Sequence, residues 1–213
     1  MAIYTNGILG TFSGKVGPVV GVNYKGTSVM RAAPKKSTKP ATPLQLIQQA
    51  KMSSVMQLLS PIKELLALYF GTSVDTRSRN NLAVSYFLTE VIKYEAENFV
   101  ILYEKMMFAQ GVLLFLANLE CEKNTDNTLQ FTWNNNSNQG GTKPTDELII
   151  VVFNSEKEEY VYYSPAGTRA DETAIVALPD NYVGDEVYVY AFMAAVNRKS
   201  NSSSWCCGKF LVG

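Results

Sequence analysis

Residues 147–163 read ELIIVVFNSEKEEYVYY, two apolar runs of strand length parted by a polar, acid-rich turn. β-Branched and aromatic side chains at this density favour extended chain, so Glu147 to Phe153 and Glu159 to Tyr163 are expected to be strands. Working outward, the period of two holds from Gly111 to the C-terminus. It predicts further strands at Val112 to Leu119, Thr128 to Trp133, Thr173 to Leu178, Asp185 to Met193 and Ser204 to Val212. Turn-forming clusters lie between them at Asn134 to Thr142, Pro165 to Thr168, Pro179 to Asp185 and Asn197 to Ser203. Seven short strands in roughly 100 residues are the expectation for an immunoglobulin- or fibronectin-type sandwich. Trp133 is then an inward-facing core aromatic, and Tyr188 or Tyr190 a candidate for the tyrosine that ties the penultimate strand to its corner. Asp146, Glu147 and Glu156 to Glu159 lack the spacing of a calcium loop and read as solvated turn charges.

Upstream of Gly111 the period lengthens. Thr42 can cap a helix, Pro43 is pre-set for its first position, and Gln45 completes a capping box. Leu44, Ile47, Met52, Val55, Met56 and Leu59 recur at threes and fours, an apolar face expected to be buried against the next helix. Ser60-Pro61 opens a second helix that Gly71 ends near Phe70, and a third is expected from about Asn80 to Tyr94. Phe99 to Ala109 fits either its continuation or a strand.

Before the helices stands APKKSTKPATP, residues 33–43, a stiff proline-rich basic linker. Before the linker, glycines at 14, 17, 21 and 26 interleave with Val16, Val19, Val20, Val22, Tyr24 and Val29. The pattern predicts a hairpin of Val19 to Tyr24 and Thr27 to Arg31 turning at Lys25-Gly26. A two-stranded ribbon is marginal alone, so it must dock, either on its own chain or on a neighbour. The expected fold is therefore α+β: a glycine-rich basic β arm with its linker (1–42), a small helical subdomain (43–110) and a C-terminal immunoglobulin/fibronectin-type β-sandwich (111–213).

Net charge is zero over the 213 residues, with 19 basic and 19 acidic side chains, but the charges are divided. Lys15, Lys25, Arg31, Lys35, Lys36, Lys39, Lys51 and Lys63 precede the first acid, Glu64, so residues 1–63 carry +8 and the remainder −8. Such asymmetry calls for an acidic partner: nucleic acid, an anionic membrane surface or a neighbouring copy. Histidine is absent, which removes the usual general base near neutral pH and histidine-built zinc sites. Cys121, Cys206 and Cys207 lack metal-ligand spacing; adjacent residues of a strand face opposite sides, so Cys206 and Cys207 are not both expected in a core. No glycine pattern matches a nucleotide loop. No stretch has the length of a membrane span, and Met1 to Gly14 has no secretory pattern, so cytoplasm or a virion-like particle is the expected location.

The run Phe12-Ser13-Gly14-Lys15-Val16-Gly17-Pro18-Val19-Val20-Gly21, followed by Tyr24-Lys25-Gly26, Val29-Met30-Arg31 and Pro34-Lys35-Lys36-Ser37, resembles an uncharacterised Bacteroidota family. That family is the domain of unknown function numbered six thousand two hundred and sixty-six. The likeness continues through Pro43 to Lys51, Leu59 to Lys63, Asn81 to Ser85, Phe131 to Trp133, Leu178-Pro179 and Gly184-Asp185, and departs around Tyr94 to Gln110. The resemblance implies a similar architecture; it brings no catalytic residues.

A non-catalytic structural or assembly protein, a component of a virion, tail or filament, is the expectation, with no cofactor and with a homo-oligomer or larger assembly as partner. The arm residues expected to carry it are Gly14, Lys15, Val16, Gly17, Val19, Val20, Gly21, Tyr24, Lys25, Gly26 and Arg31. Lys35, Lys36 and Lys39 are candidate anion contacts. The alternatives are nucleic-acid binding through the basic arm, weakened by a single stacking group and a single arginine there, and ligand or glycan binding through the loops at 134–142 and 197–204.

Overall fold

The computed structural model describes residues 3–4, 12–24, 26–35, 39–73, 77–95, 98–124 and 126–213. In chain order come β1 (Ile3–Tyr4), β2 (Phe12–Val16), β3 (Val19–Tyr24), β4 (Thr27–Ala32), α1 (Pro43–Leu59), α2 (Lys63–Tyr69), α3 (Arg79–Tyr86), β5 (Ile92–Glu95), β6 (Asn98–Ile101), β7 (Ala117–Lys123), β8 (Thr128–Asn134), β9 (Glu147–Asn154), β10 (Glu159–Thr168), β11 (Thr173–Ala177), β12 (Glu186–Ala194) and β13 (Trp205–Leu211). The fold is α+β and mostly strand. It divides into two units, Met1–Leu46 and Ile47–Gly213, joined in the first turn of α1.

In the N-terminal unit β1 to β4 form one antiparallel sheet in sequence order. The expected hairpin is there, with Tyr24 opposite Thr27 and Val22 opposite Val29. A second hairpin precedes it, Val16 opposite Val19 across the loop Gly17-Pro18. Gly17 takes φ +56°, and a proline ring holds its own φ near about −65°, the pair of values a II′ hairpin turn needs.

In the C-terminal unit, residues 147–154 form β9, an inner strand of its sheet. β9 pairs with β10 on one side and β12 on the other in a four-stranded sheet ordered β10-β9-β12-β13. Every residue of β9 after Glu147 is buried. Leu148, Ile150 and Val152 enter one apolar cluster with Phe131, Trp133, Val176 and Val189, drawn in part from the three-stranded sheet β11-β8-β7. Ile149, Val151 and Phe153 enter a second cluster with Leu66, Phe70, Phe87, Phe108 and Phe192. A strand covered on both faces loses polar alternation and becomes a continuous apolar run, which is what LIIVVF is. The helical stretch and the β stretch, divided at residue 110 in the sequence reading, thus share one hydrophobic cluster.

Several expected elements moved. The first C-terminal strand starts at Ala117, not Val112. Residues 112–116 have their backbone groups taken by other partners: the Leu114 carbonyl accepts from Arg169 Nη2 at 2.9 Å, the Phe115 carbonyl from Asn136 Nδ2 at 2.8 Å, and the Leu113 N–H donates to the Asn201 carbonyl at 3.0 Å. Val112 is 97% exposed despite sitting in the longest apolar run. The third helix ends at Tyr86, runs through a π-helical turn at Phe87–Val91 and gives way to β5, which pairs with β6 where a continued helix was one option. The capping box of α1 is formed, Thr42 N–H to Gln45 Oε1 at 3.0 Å and Gln45 N–H to Thr42 Oγ1 at 3.4 Å. Its apolar face is not buried along its length: Val55, Leu58 and Leu59 are, whereas Leu44, Met52 and Met56 are exposed. The reason is reach, since only the last turns of α1 lie beside buried residues of the cluster that includes Leu65 and Leu66.

Candidate assembly surface

Among the residues of the N-terminal unit whose burial is described, Gly21 alone is buried. A side chain there has no room: a Cβ would lie 2.3 Å from the Phe12 carbonyl oxygen and 2.7 Å from the Phe12 ring. Every residue of β4 is exposed, Met30 at 70%, as are Val16, Val22 and Tyr24 of the neighbouring strands. The second turn is closed by Gly26, whose N–H donates to Asn23 Oδ1 at 3.0 Å.

Register sorts the arm residues onto two faces, because directly opposed residues of antiparallel strands point the same way. Gly14, Gly21 and Met30 align, as do Val16, Val19 and Ala32, so these residues share one face, and it carries no charge. Lys15, Val20 and Arg31 align on the other face, with the pairs Val22–Val29 and Tyr24–Thr27. Both described cations of the sheet therefore lie on one side, flanking Val20. Ion pairs among the described residues include Lys157–Asp185, Arg169–Asp146 and Lys209–Glu186. Lys35 and Lys39 are exposed; Lys25 and Lys36 lie outside the described residues.

A family model described as a family of unknown function, DUF6266, matches residues 11–206. The chain belongs to that family. No curated protein matches it. The match takes in the described arm strands β2 to β4, the helices and nearly all of the β unit, so all of these belong to what the DUF6266 match covers.

In this DUF6266 chain each of the two polar loops turns some of its polar groups inward while Asn134, Asn135, Asn138 and Asn197 stay exposed. In the Asn-rich loop, Thr142 Oγ1 donates to the carbonyls of Asn136 and Gln139, and the Asn136 side chain joins the Phe115 carbonyl to Arg169. In the Ser-rich loop, Asn201 Nδ2 donates to the Tyr69 carbonyl at 2.8 Å and Ser204 Oγ accepts from Phe108 N–H at 3.0 Å. Asp146 is not a solvated turn charge: it is buried, 3.4 Å from the buried Arg169 guanidinium. Burial lowers the Arg169 pKa and the Asp146 carboxylate opposes that shift.

Tyr190 does not tie its strand to a corner; its hydroxyl donates to the Tyr103 carbonyl at 2.6 Å, and Tyr188 stacks on the Tyr103 ring. Cys206 and Cys207 both pack against core, contrary to expectation, because the sheet is covered on both faces: Cys206 against the helical cluster, Cys207 against the cluster between the sheets. A cavity of about 490 Å³ beside β13 is walled by Tyr86, Met106, Met107, Tyr188 and Trp205, the last 63% exposed. Among the described residues no group of three or more His, Cys, Asp or Glu is placed to hold a metal ion, and no helix is long and apolar enough to cross a membrane.

Proposed function

We propose that this protein is a non-catalytic assembly component of a virion, tail or filament, whose N-terminal arm contacts a neighbouring subunit. The observation that carries the reading is the bare arm sheet. Ordering the backbone costs about 1–2 kcal/mol per residue, and burial of apolar side chains is the main term that offsets it. The arm supplies Val16, Val22, Tyr24, Val29 and Met30 for such burial and leaves all of them exposed. Exposed apolar side chains gathered on one sheet mark a surface that a partner can cover.

The C-terminal unit supports the same reading as a display module. Its strand orders, β7-β8-β11 and β10-β9-β12-β13, with Trp133 and Val189 in the cluster between the sheets, fit a fibronectin-type sandwich. Nucleic acid is the second reading, favoured by Lys15 and Arg31 lying on the face that also carries Tyr24. Negative-stain microscopy of the full-length protein at micromolar concentration tests the first. Regular particles or filaments are expected; dispersed single subunits would overturn it.

A further inference from the structure

The two units carry opposite charge. Residues 1–46 contain six cations, Lys15, Lys25, Arg31, Lys35, Lys36 and Lys39, and no acid, while residues 47–213 contain 13 cations against 19 acids, a net −6. Of the described arm cations, Lys15 and Arg31 lie in the sheet and stand either side of Val20, and Val22, Val29 and Tyr24 continue that face as an apolar strip. Val22, Val29 and Tyr24 are exposed, Tyr24 by 54%. The opposite face carries no charge among its described residues and contains the close contact of Phe12 with Gly21.

We propose that the cation-bearing face of the arm sheet, built on Lys15, Val20, Val22, Tyr24, Val29 and Arg31, docks on the acidic unit, residues 47–213, of a second copy of this chain. This rests on the assembly reading above and names its surface and its partner. Charge decides between the two units a second copy could offer. An arm meeting another arm brings two basic surfaces together, which is repulsive; an arm meeting the acidic unit is attractive and leaves the apolar strip to be covered. Such a contact uses different patches on the two partners. It is heterologous, so it closes by reciprocal exchange of arms in a dimer or continues head to tail into a ring or an open filament. The attraction between exposed charges is screened by salt, with a Debye length of about 8 Å at physiological ionic strength, while the apolar strip is not.

The test uses full-length protein carrying a photo-crosslinking benzoylphenylalanine at position 24, in place of Tyr24, or at position 30, in place of Met30 on the opposite face. Each is prepared as an equal mixture of nitrogen-14 and nitrogen-15 copies, irradiated and mapped by mass spectrometry. Mixed-isotope crosslinks from position 24 into residues 47–213 are expected, with few from position 30. Lys15→Glu with Arg31→Glu is expected to lower their yield about tenfold, as reversed charges confront like charges. Mixed-isotope crosslinks joining arm to arm, or arising from position 30 instead, overturn this inference and leave the assembly reading standing. Same-isotope crosslinks alone, from a protein that stays single in solution, overturn both. Adducts with co-purifying RNA in place of protein crosslinks overturn the inference in favour of nucleic acid.

Discussion

Arg169 is fully buried, and what holds it there is distributed over three segments: Asp146, Asn136 and the carbonyl of Leu114. Its own backbone is tied in as well, the N–H donating to the Asp146 carbonyl at 2.8 Å and the carbonyl accepting from Trp133 Nε1 at 3.0 Å. Removing one partner of a buried ion pair strands the other, at a cost of about 3–5 kcal/mol. Arg169→Ala is therefore expected to shift the urea midpoint sharply, whereas Lys209→Ala, at an exposed pair, is expected to leave it near wild type. Burial also pushes the Cys121 thiol up from 9.0 to about 12. Its contribution to stability is intact below pH 9 and is lost as pH rises toward 12, because the unfolded thiol ionises first. Alkylation of native Cys121 by iodoacetamide at pH 8 should accordingly be slow beside that of the urea-unfolded chain. Of these residues Trp133 was legible, since alternation alone puts it inside. Asp146 was misread because nothing near it in sequence announces an arginine 23 residues away that folds onto it.

At the scale of elements, legibility followed the strength of local chemistry. The Thr42 to Gln45 capping box fixed the start of α1, and the runs at 128–133, 147–153 and 159–163 begin where their strands begin. The first C-terminal strand was misplaced because of tertiary competition for backbone groups. Residues 112–116 have strand composition, yet the Leu114 and Phe115 carbonyls accept from Arg169 and Asn136 in place of a strand partner. Close approach of Gly111 to the Ser-rich loop holds the same connection: a Cβ at that position would lie 1.9 Å from the Asn201 carbonyl oxygen. Gly111→Ala must displace that loop, and a destabilisation of about 1–3 kcal/mol is expected by thermal or urea unfolding, as for other overpacked sites. A midpoint unchanged from wild type would show that the loop moves freely there. The face assignment of the arm was within reach of the sequence: a two-residue hairpin at Gly17-Pro18 sets Lys15 opposite Val20, and the turn at Lys25-Gly26 then sets Val20 opposite Arg31. Only the second of those turns was read as a hairpin.

The whole molecule pairs a unit with two apolar clusters of its own with an arm that buries no apolar side chain among its described residues. That contrast, together with a charge of +6 on residues 1–46 against −6 on the rest, is what the proposed contact with a neighbouring subunit rests on. No residue of either apolar cluster precedes Val55, so folding of residues 47–213 should survive deletion of residues 1–41 while self-association should not. Light scattering across a concentration series, on full-length protein and on the deletion, tests this directly. A mass that rises with concentration for the full-length chain and stays at one subunit for the deletion is the predicted result. A single-subunit mass for the full-length protein at high micromolar concentration, unchanged by the deletion, would contradict it.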